Sequence, residues 1–257
     1  MTNAYPYTLR APIGANGKIG LIVLKADETI EHDVRRIFPF EDYAIYTSRI
    51  LSEDELTSAS LQRLKDRIKG SVELFPSAAK FDSIGFACTS AASTLGSRVI
   101  ANEIRKVTAC AHVSDPILAL QKACDILNVS RIGILTPYDE TITQNMRDVL
   151  AGLGIETPHS IGFNETMEAN VARIDEASIK RAAIELGYKT DVDAVFISCT
   201  NLRTLDVIDE IEAIIGKPVL SSNQVLLWHL SQGLPKPIFH DQFGKLFSLK
   251  PNFQEQS

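Results

Sequence analysis

The feature that most narrows what this chain can fold into is a twice-repeated alternation of short, β-rich apolar runs with amphipathic stretches. Segments 19–24 (IGLIVL), 43–50 (YAIYTSRI), 83–89 (SIGFACT), 107–113 (VTACAHV), 131–138 (RIGILTPY), 156–163 (ETPHSIGF), 194–200 (AVFISCT) and 217–222 (KPVLSS) read as strands. Strands separated by helix-length segments call for parallel sheets, because a parallel neighbour is reached only through a long crossover. The clearest helix spans 115–127, where Ile117, Leu120, Cys124 and Leu127 fall on one face. Residues 18–128 and 131–257 each read strand, helix, strand, helix, Cys-bearing strand, helix, strand, helix. SIGFACTSAAS in one half answers AVFISCTNLRT in the other. Duplication of a half-sized α/β unit accounts for this register.

Composition removes several classes of function. At 257 residues, 45% hydrophobic and 23% charged, the chain can bury a full core without metal or disulfide staples. Its 26 basic and 32 acidic residues give a net charge of −6 with no basic stripe, so neither nucleic acid nor an anionic membrane is an expected partner. No apolar run approaches the roughly 18 residues of a spanning helix, and MTNAYPYTLRAP has no signal-like apolar core, so a cytoplasmic location is expected. The four cysteines form no CxxC pair and have no histidine at ligand spacing; no metal site is expected. In a reducing compartment each cysteine is core filler or a working thiol. The five histidines form no readable cluster.

Two cysteines stand apart. Cys88 and Cys199 each end an apolar strand and precede small polar residues and a helical pattern. In open parallel sheets ligands bind beyond the carboxyl ends of strands, where the next helix offers free N–H groups. Thr89 and Ser90 after Cys88, and Thr200 and Asn201 after Cys199, suit helix N-caps and can also hold a carboxylate. A helix N-terminus lowers a thiol below its usual value of about 8.5, so one thiolate and one thiol make a base and an acid opposed across a small substrate. Alternatively one adds to a double bond; neither route requires a cofactor. Cys110, read inside a strand, and Cys124, on a helix's apolar face, are assigned to the core. Arg203 suits either a carboxylate clamp or a solvent-facing position four residues into a helix.

With KIGLIVLKADETIE, GFACTSAAS, GILTPYDETITQNM, IGFNETMEANVARI, DAVFISCTNLRTLDVI and KPVLSSNQVLLWHL, the chain resembles the Asp/Glu racemase superfamily. The likeness is specifically to its branch of maleate cis-trans isomerases and arylmalonate decarboxylases, with a weaker likeness to ectoine-utilisation proteins. The resemblance implies an α/β fold of two Rossmann-like lobes related by a pseudo-twofold axis, with the active site in the interlobe cleft. The last helix of each half is expected to pack on the other lobe. That gives 18–113 plus 223–257 as the first lobe and 114–222 as the second.

By the same resemblance, Cys88 matches a position that is cysteine in isomerases and racemases but glycine in arylmalonate decarboxylases, and Cys199 matches the cysteine common to all. Tyr138 matches an active-site tyrosine, and Asn164 a substrate-binding asparagine, although an Asn in FNET also suits a turn. Asp27 stands where maleate isomerases carry asparagine. An anion there repels a dicarboxylate unless Asp27 is protonated, points elsewhere, or meets a substrate with an amino group or another donor. The implied protein is a cofactor-independent, homodimeric isomerase or racemase of a small carboxylate. An arylmalonate-type decarboxylase and a non-catalytic binding protein are the alternatives.

Overall fold

In the computed structural model, which describes residues 4–53 and 58–249, the eight strands form two four-stranded, wholly parallel sheets of identical order. The first contains β1 (Gly17–Leu24), β2 (Tyr43–Ile50), β3 (Ser83–Ala87) and β4 (His112–Ser114) in the order β2-β1-β3-β4. The second contains β5 (Arg131–Thr136), β6 (Glu156–Gly162), β7 (Ala194–Ile197) and β8 (Val219–Ser221) in the order β6-β5-β7-β8. The duplication read from the sequence is thus a duplication of topology. The central strands are near-continuous apolar runs because helices cover both faces of each sheet; β3 and β7 are buried at every position.

In each sheet the chain leaves the first strand to one side and the third to the other. The crevice between their carboxyl ends is therefore a topological switch point, where such sheets bind ligands. In the first sheet β1 and β3 deliver Asp27 and Cys88 to that crevice, and in the second β5 and β7 deliver Tyr138 and Cys199.

Helix α5 (Pro116–Leu127) matches the expected 115–127 span, with Asp115 as its N-cap and a proline in the first turn. The strand expected over 107–113 is the main misreading. Helix α4 (Ser97–Arg105) ends in backbone bonds that take up Val107 and Thr108, and pairing begins only at His112. Cys110 therefore lies in a loop, buried, with its thiol donating to the His112 carbonyl.

Helix α10 (Ser222–Gln232) crosses from the second half to the first. It is buried nearly all round, and its N-terminus carries a capping box between Ser221 and Gln224. It lies on β3: Ser83 Oγ donates to the Leu230 carbonyl at 2.7 Å, and a Cβ on Gly85 would meet Leu230 Cδ1 at 2.7 Å. Helix α5 packs along α10 and along α3 (Thr89–Leu95). Residues 250–257, the end of the expected first lobe, lie outside the described residues. Among those described, no helix is long and apolar enough to cross a membrane.

Candidate active site

Cys88 follows β3 in an extended conformation and is itself the N-cap of α3, its Sγ accepting from Ala91 N at 3.4 Å with Ser90 Oγ at 3.5 Å. The expectation that Thr89 or Ser90 caps this helix is corrected by one position. Thr89 Oγ1 instead donates to Ser222 Oγ, at the start of α10, at 2.7 Å.

Cys199 departs further from expectation. No helix follows it: residues 200–207 make turns, and α9 begins only at Ile208. Thr200 and Asn201 therefore cap nothing, and Arg203 is an exposed loop residue rather than a helical one. The local fold replaces the missing helix terminus with a strained backbone, φ +120° at Cys199, a region that only glycine adopts comfortably. Two bonds hold it there: Cys199 N donates to Ser222 Oγ at 2.9 Å, and Asn201 N to Cys199 Sγ at 3.4 Å.

Both thiols are almost fully buried, Cys88 at 3% and Cys199 at 4% exposure. Burial pushes the Cys88 thiol up to about 12, against the bonds from Ser90 and Ala91, and the Glu168 and Asp27 charges push the same way. Burial likewise holds Cys199 well above its ordinary value; Glu168 and Asp27 add to this, and the Tyr138 hydroxyl and Asn201 N–H oppose it. The lowered thiol expected from a helix N-terminus is therefore overridden: a seven-residue helix end and one amide do not offset complete desolvation. Tyr138 is also buried, its hydroxyl on Cys199.

Asp27 does not point away. Its Oδ1 accepts the N–H groups of Thr29 (2.8 Å) and Ile30 (2.9 Å), opening α1 (Ile30–Ile37), while Oδ2 is buried with no hydrogen-bond partner. Burial raises the carboxyl to about 6 despite those amides, the Thr200 hydroxyl and the Arg49 charge. Arg49 spends its Nη1 on the carbonyls of Leu24, Lys25 and Asp27 and its Nη2 on Glu31. It braces the loop from behind.

Asn201 is a cross-brace. Its Oδ1 accepts Glu28 N at 2.8 Å, and its Nδ2 donates to Glu168 Oε2 (2.8 Å) and the Glu168 carbonyl (3.0 Å). Thr200 Oγ1 reaches the Ala87 carbonyl at 3.4 Å. Asn164 is not brought into this buried group; it occupies an exposed left-handed turn (φ +54°) in the loop whose Glu165 N–H bonds to Pro137 O. A cavity of about 340 Å³ opens alongside, lined in part by Glu28, Thr29, Asp33, Arg203 and Thr204, and neither thiol lines it.

The arylmalonate decarboxylase (Amdase) family matches residues 19–247 of the chain. The chain belongs to that family. A maleate isomerase of Pseudomonas putida is 26% identical over 223 residues, covering 80% of this chain and 86% of the relative. Among solved structures, maleate isomerase from Pseudomonas putida S16 with maleate superposes at a TM-score of 0.81 with 24% identity, covering 90% of this chain and 97% of that one. A Nocardia farcinica maleate cis-trans isomerase mutant with a covalently bound succinylcysteine intermediate gives 0.80 with 19% identity, covering 91% and 99%. The two-sheet architecture is that of these enzymes.

Within this member of the arylmalonate decarboxylase family, the sequence reading missed three residues of this buried group. Glu168 is 4% exposed and begins α7 (Glu168–Val171); burial raises it to about 7. Ser222 receives hydrogen bonds from both halves. Asn223 Nδ2 ties Asp33 Oδ2 (2.7 Å) to the Thr200 carbonyl (2.9 Å). A capping signature was legible at 221–224, but nothing local marks Glu168 as buried. His112 and His229 do meet, ring centroids 4.6 Å apart, with His229 Nδ1 on Ser114 Oγ. Burial lowers His229 to about 3, and seven residues along α10 from Ser222 place it roughly 10 Å from the site. No group of three or more His, Cys, Asp or Glu among the described residues is arranged to hold a metal ion.

Two outcomes follow from this geometry. Cys199→Gly is expected to be more stable than Cys199→Ala by about 1 kcal/mol in urea denaturation, because glycine accepts the positive φ that alanine resists. Equal stability, or an advantage for Ala, would mean that the φ at this position stores no strain. Iodoacetamide should label Cys88 and Cys199 far more slowly at pH 7 than it labels an ordinary thiol. For Cys88 the rate should rise about tenfold per pH unit through pH 9, since the thiolate fraction of a group near 12 is still growing there. A plateau near pH 8, followed by peptide mapping, would contradict it.

Proposed function

We propose that this chain is a cofactor-independent isomerase or racemase that works on a small carboxylate with Cys88 and Cys199 as its acid, base or nucleophile. The observation that carries this reading is the pair of buried thiols at equivalent switch points of two topologically identical sheets, with Ser222 Oγ accepting from the Thr89 hydroxyl beside one and from the backbone N–H of the other. Maleate bound to one structural relative and a succinylcysteine on another support covalent cysteine chemistry on a dicarboxylate skeleton.

Two mechanisms use the same atoms. In cis-trans isomerisation the sulfur of Cys88 adds to one alkene carbon while a proton is delivered to the other, the resulting single bond rotates, and loss of the same proton with cleavage of the C–S bond releases the trans acid. Cys199, with Tyr138 on its sulfur, handles the proton. In racemisation one thiolate removes the α-proton and the opposite thiol returns a proton to the other face. Either way a proton must leave a thiol that the free site holds neutral, so substrate binding has to supply part of the activation.

Proton NMR in D2O separates the possibilities: isomerisation exchanges cis for trans vinyl signals, racemisation washes out the α-proton, and decarboxylation yields a monoacid. A panel of maleate, aspartate, glutamate and phenylmalonate is expected to show one of the first two. Decarboxylation alone, or no turnover with any member, would overturn the reading in favour of the decarboxylase or binding-protein alternative. The family resemblance also carries the homodimer, which light scattering on the purified chain checks.

A further inference from the structure

The two sheets have identical topology, yet the chain enters them differently. It reaches β5 directly from α5, through residues 128–130. It reaches β1 from an arm, residues 4–13, that forms no helix or strand and is exposed at every position. Tyr5 (88% exposed), Tyr7 (82%) and Leu9 (87%) alternate along this arm. A single exposed apolar side chain is ordinary, whereas three within five residues mark a contact surface.

A tight turn sets where the arm leaves. Gly14 has φ +82°, Gly17 N donates to the Gly14 carbonyl and Asn16 N to the Asp42 carbonyl, and a Cβ on Gly14 would meet Ala44 Cβ at 2.7 Å. The arm therefore departs beside the start of β2, an edge strand paired only with β1. At the same end of the sheet lies an apolar hollow of about 370 Å³, lined by Pro12, Tyr46, Pro76 and Ala78 together with Lys18 and Lys80. Tyr5, Tyr7 and Leu9 of the same chain do not line it. Apolar walls beside ammonium groups suit an aromatic ring with a hydroxyl. Lys18 forms no ion pair among the described residues, whereas Arg131, at the matching start of β5, pairs with Asp193 at 2.8 Å. Arg10 in the arm is likewise without an ion pair among the described residues, and Glu41 and Asp42 stand exposed at the entrance to β2.

We propose that two copies of this chain exchange their arms, the tyrosines of each entering the hollow of the other and Arg10 facing the partner's Glu41 and Asp42. The proposal rests on the homodimer proposed above and names the surface that forms it. Two tyrosines bury about 150–250 Å² each, and with the surface they cover, reciprocated by the second arm, the exchange removes roughly 1,200–2,000 Å² from water, the size of a stable specific interface. The hollow lies at the amino ends of the strands, whereas the thiols lie at the carboxyl ends, so the exchange leaves the cleft free.

Sedimentation velocity over a range of concentrations compares the parent with Tyr5→Ser/Tyr7→Ser/Leu9→Ser and with Ala78→Arg, which fills the hollow. All four positions are exposed, so urea midpoints should match the parent's. The parent should dimerise, and each variant should weaken the dimer by about 100-fold or more, as the loss of aromatic anchors does. An equimolar mixture of the two variants should regain dimer of intermediate strength, because one supplies an intact arm and the other an open hollow. Variants that dimerise as tightly as the parent overturn the exchange and leave the homodimer standing on another surface. A mixture that regains nothing overturns the pairing of arm with hollow. A parent that stays monomeric at every concentration overturns the exchange and the homodimer together.

Discussion

Cys88→Ala and Cys199→Ala are each expected to lower turnover by a factor of about 10³ or more while the fold survives. The loss is large because each change removes the one group on its side of the site that can accept, donate or form the bond to carbon. The structural cost is smaller. Cys88→Ala forfeits one helix-capping acceptor for Ala91 N, and Cys199→Ala a buried sulfur, each worth on the order of 1 kcal/mol. Cys110→Ala and Cys124→Ala supply the contrast. Both sulfurs are buried away from the switch points, so each variant should lose a similar amount of stability and keep its activity. Turnover by NMR, beside urea denaturation of all four variants, makes the comparison. Full activity in either Cys88→Ala or Cys199→Ala removes the two-thiol mechanism.

The second large effect is on stability and has a defined pH signature. Glu168 is raised from 4.5 to about 7 in the fold, so its contribution to stability is fully present below about 4.5 and is lost as pH rises through about 7. At pH 8 the native state therefore holds a buried charge that costs up to about 3 kcal/mol relative to the unfolded chain. Glu168→Gln keeps the acceptor for Asn201 and removes the charge. It should be more stable than the parent at pH 8 by up to that amount and gain little at pH 4.5. Denaturant midpoints at several pH values read this out directly. A gap that does not change with pH means that Glu168 is not desolvated. A stabilising change at a buried acid beside the two thiols is the ordinary trade between a site's chemistry and its fold.

The sequence made the architecture legible because the information is periodic. The segment Tyr43–Ile50 was read to its ends, and the segments before Cys88 and Cys199 were read as the strands that the structure places inside their sheets. VTACAHV has the composition of a strand, but its first residues complete the last turn of α4 and its pairing amounts to three residues on a sheet edge. The symmetry of the two halves also led one step too far. Cys88 caps a helix, and equivalence suggested the same for Cys199, yet only a backbone at φ +120° and a run of turns are found there. Glu168 was invisible for a different reason. It sits in a four-residue helix, and the hydrogen bond that marks it as a buried acid comes from Asn201, 33 residues further on.

The position of α10 bears on how the chain is made. Ser83 waits for Leu230, 147 residues further on, and Gly85 is small to admit that same leucine. During synthesis the first sheet is thus finished long before the helix that covers it leaves the ribosome, at roughly 5–20 residues per second. For that interval its apolar face is a vacancy with chaperones and other nascent chains as the available occupants. Messenger changes that slow elongation between residues 130 and 222 should reduce soluble yield without altering one amino acid, and a circular permutant that delivers α10 ahead of β1 should be insensitive to them.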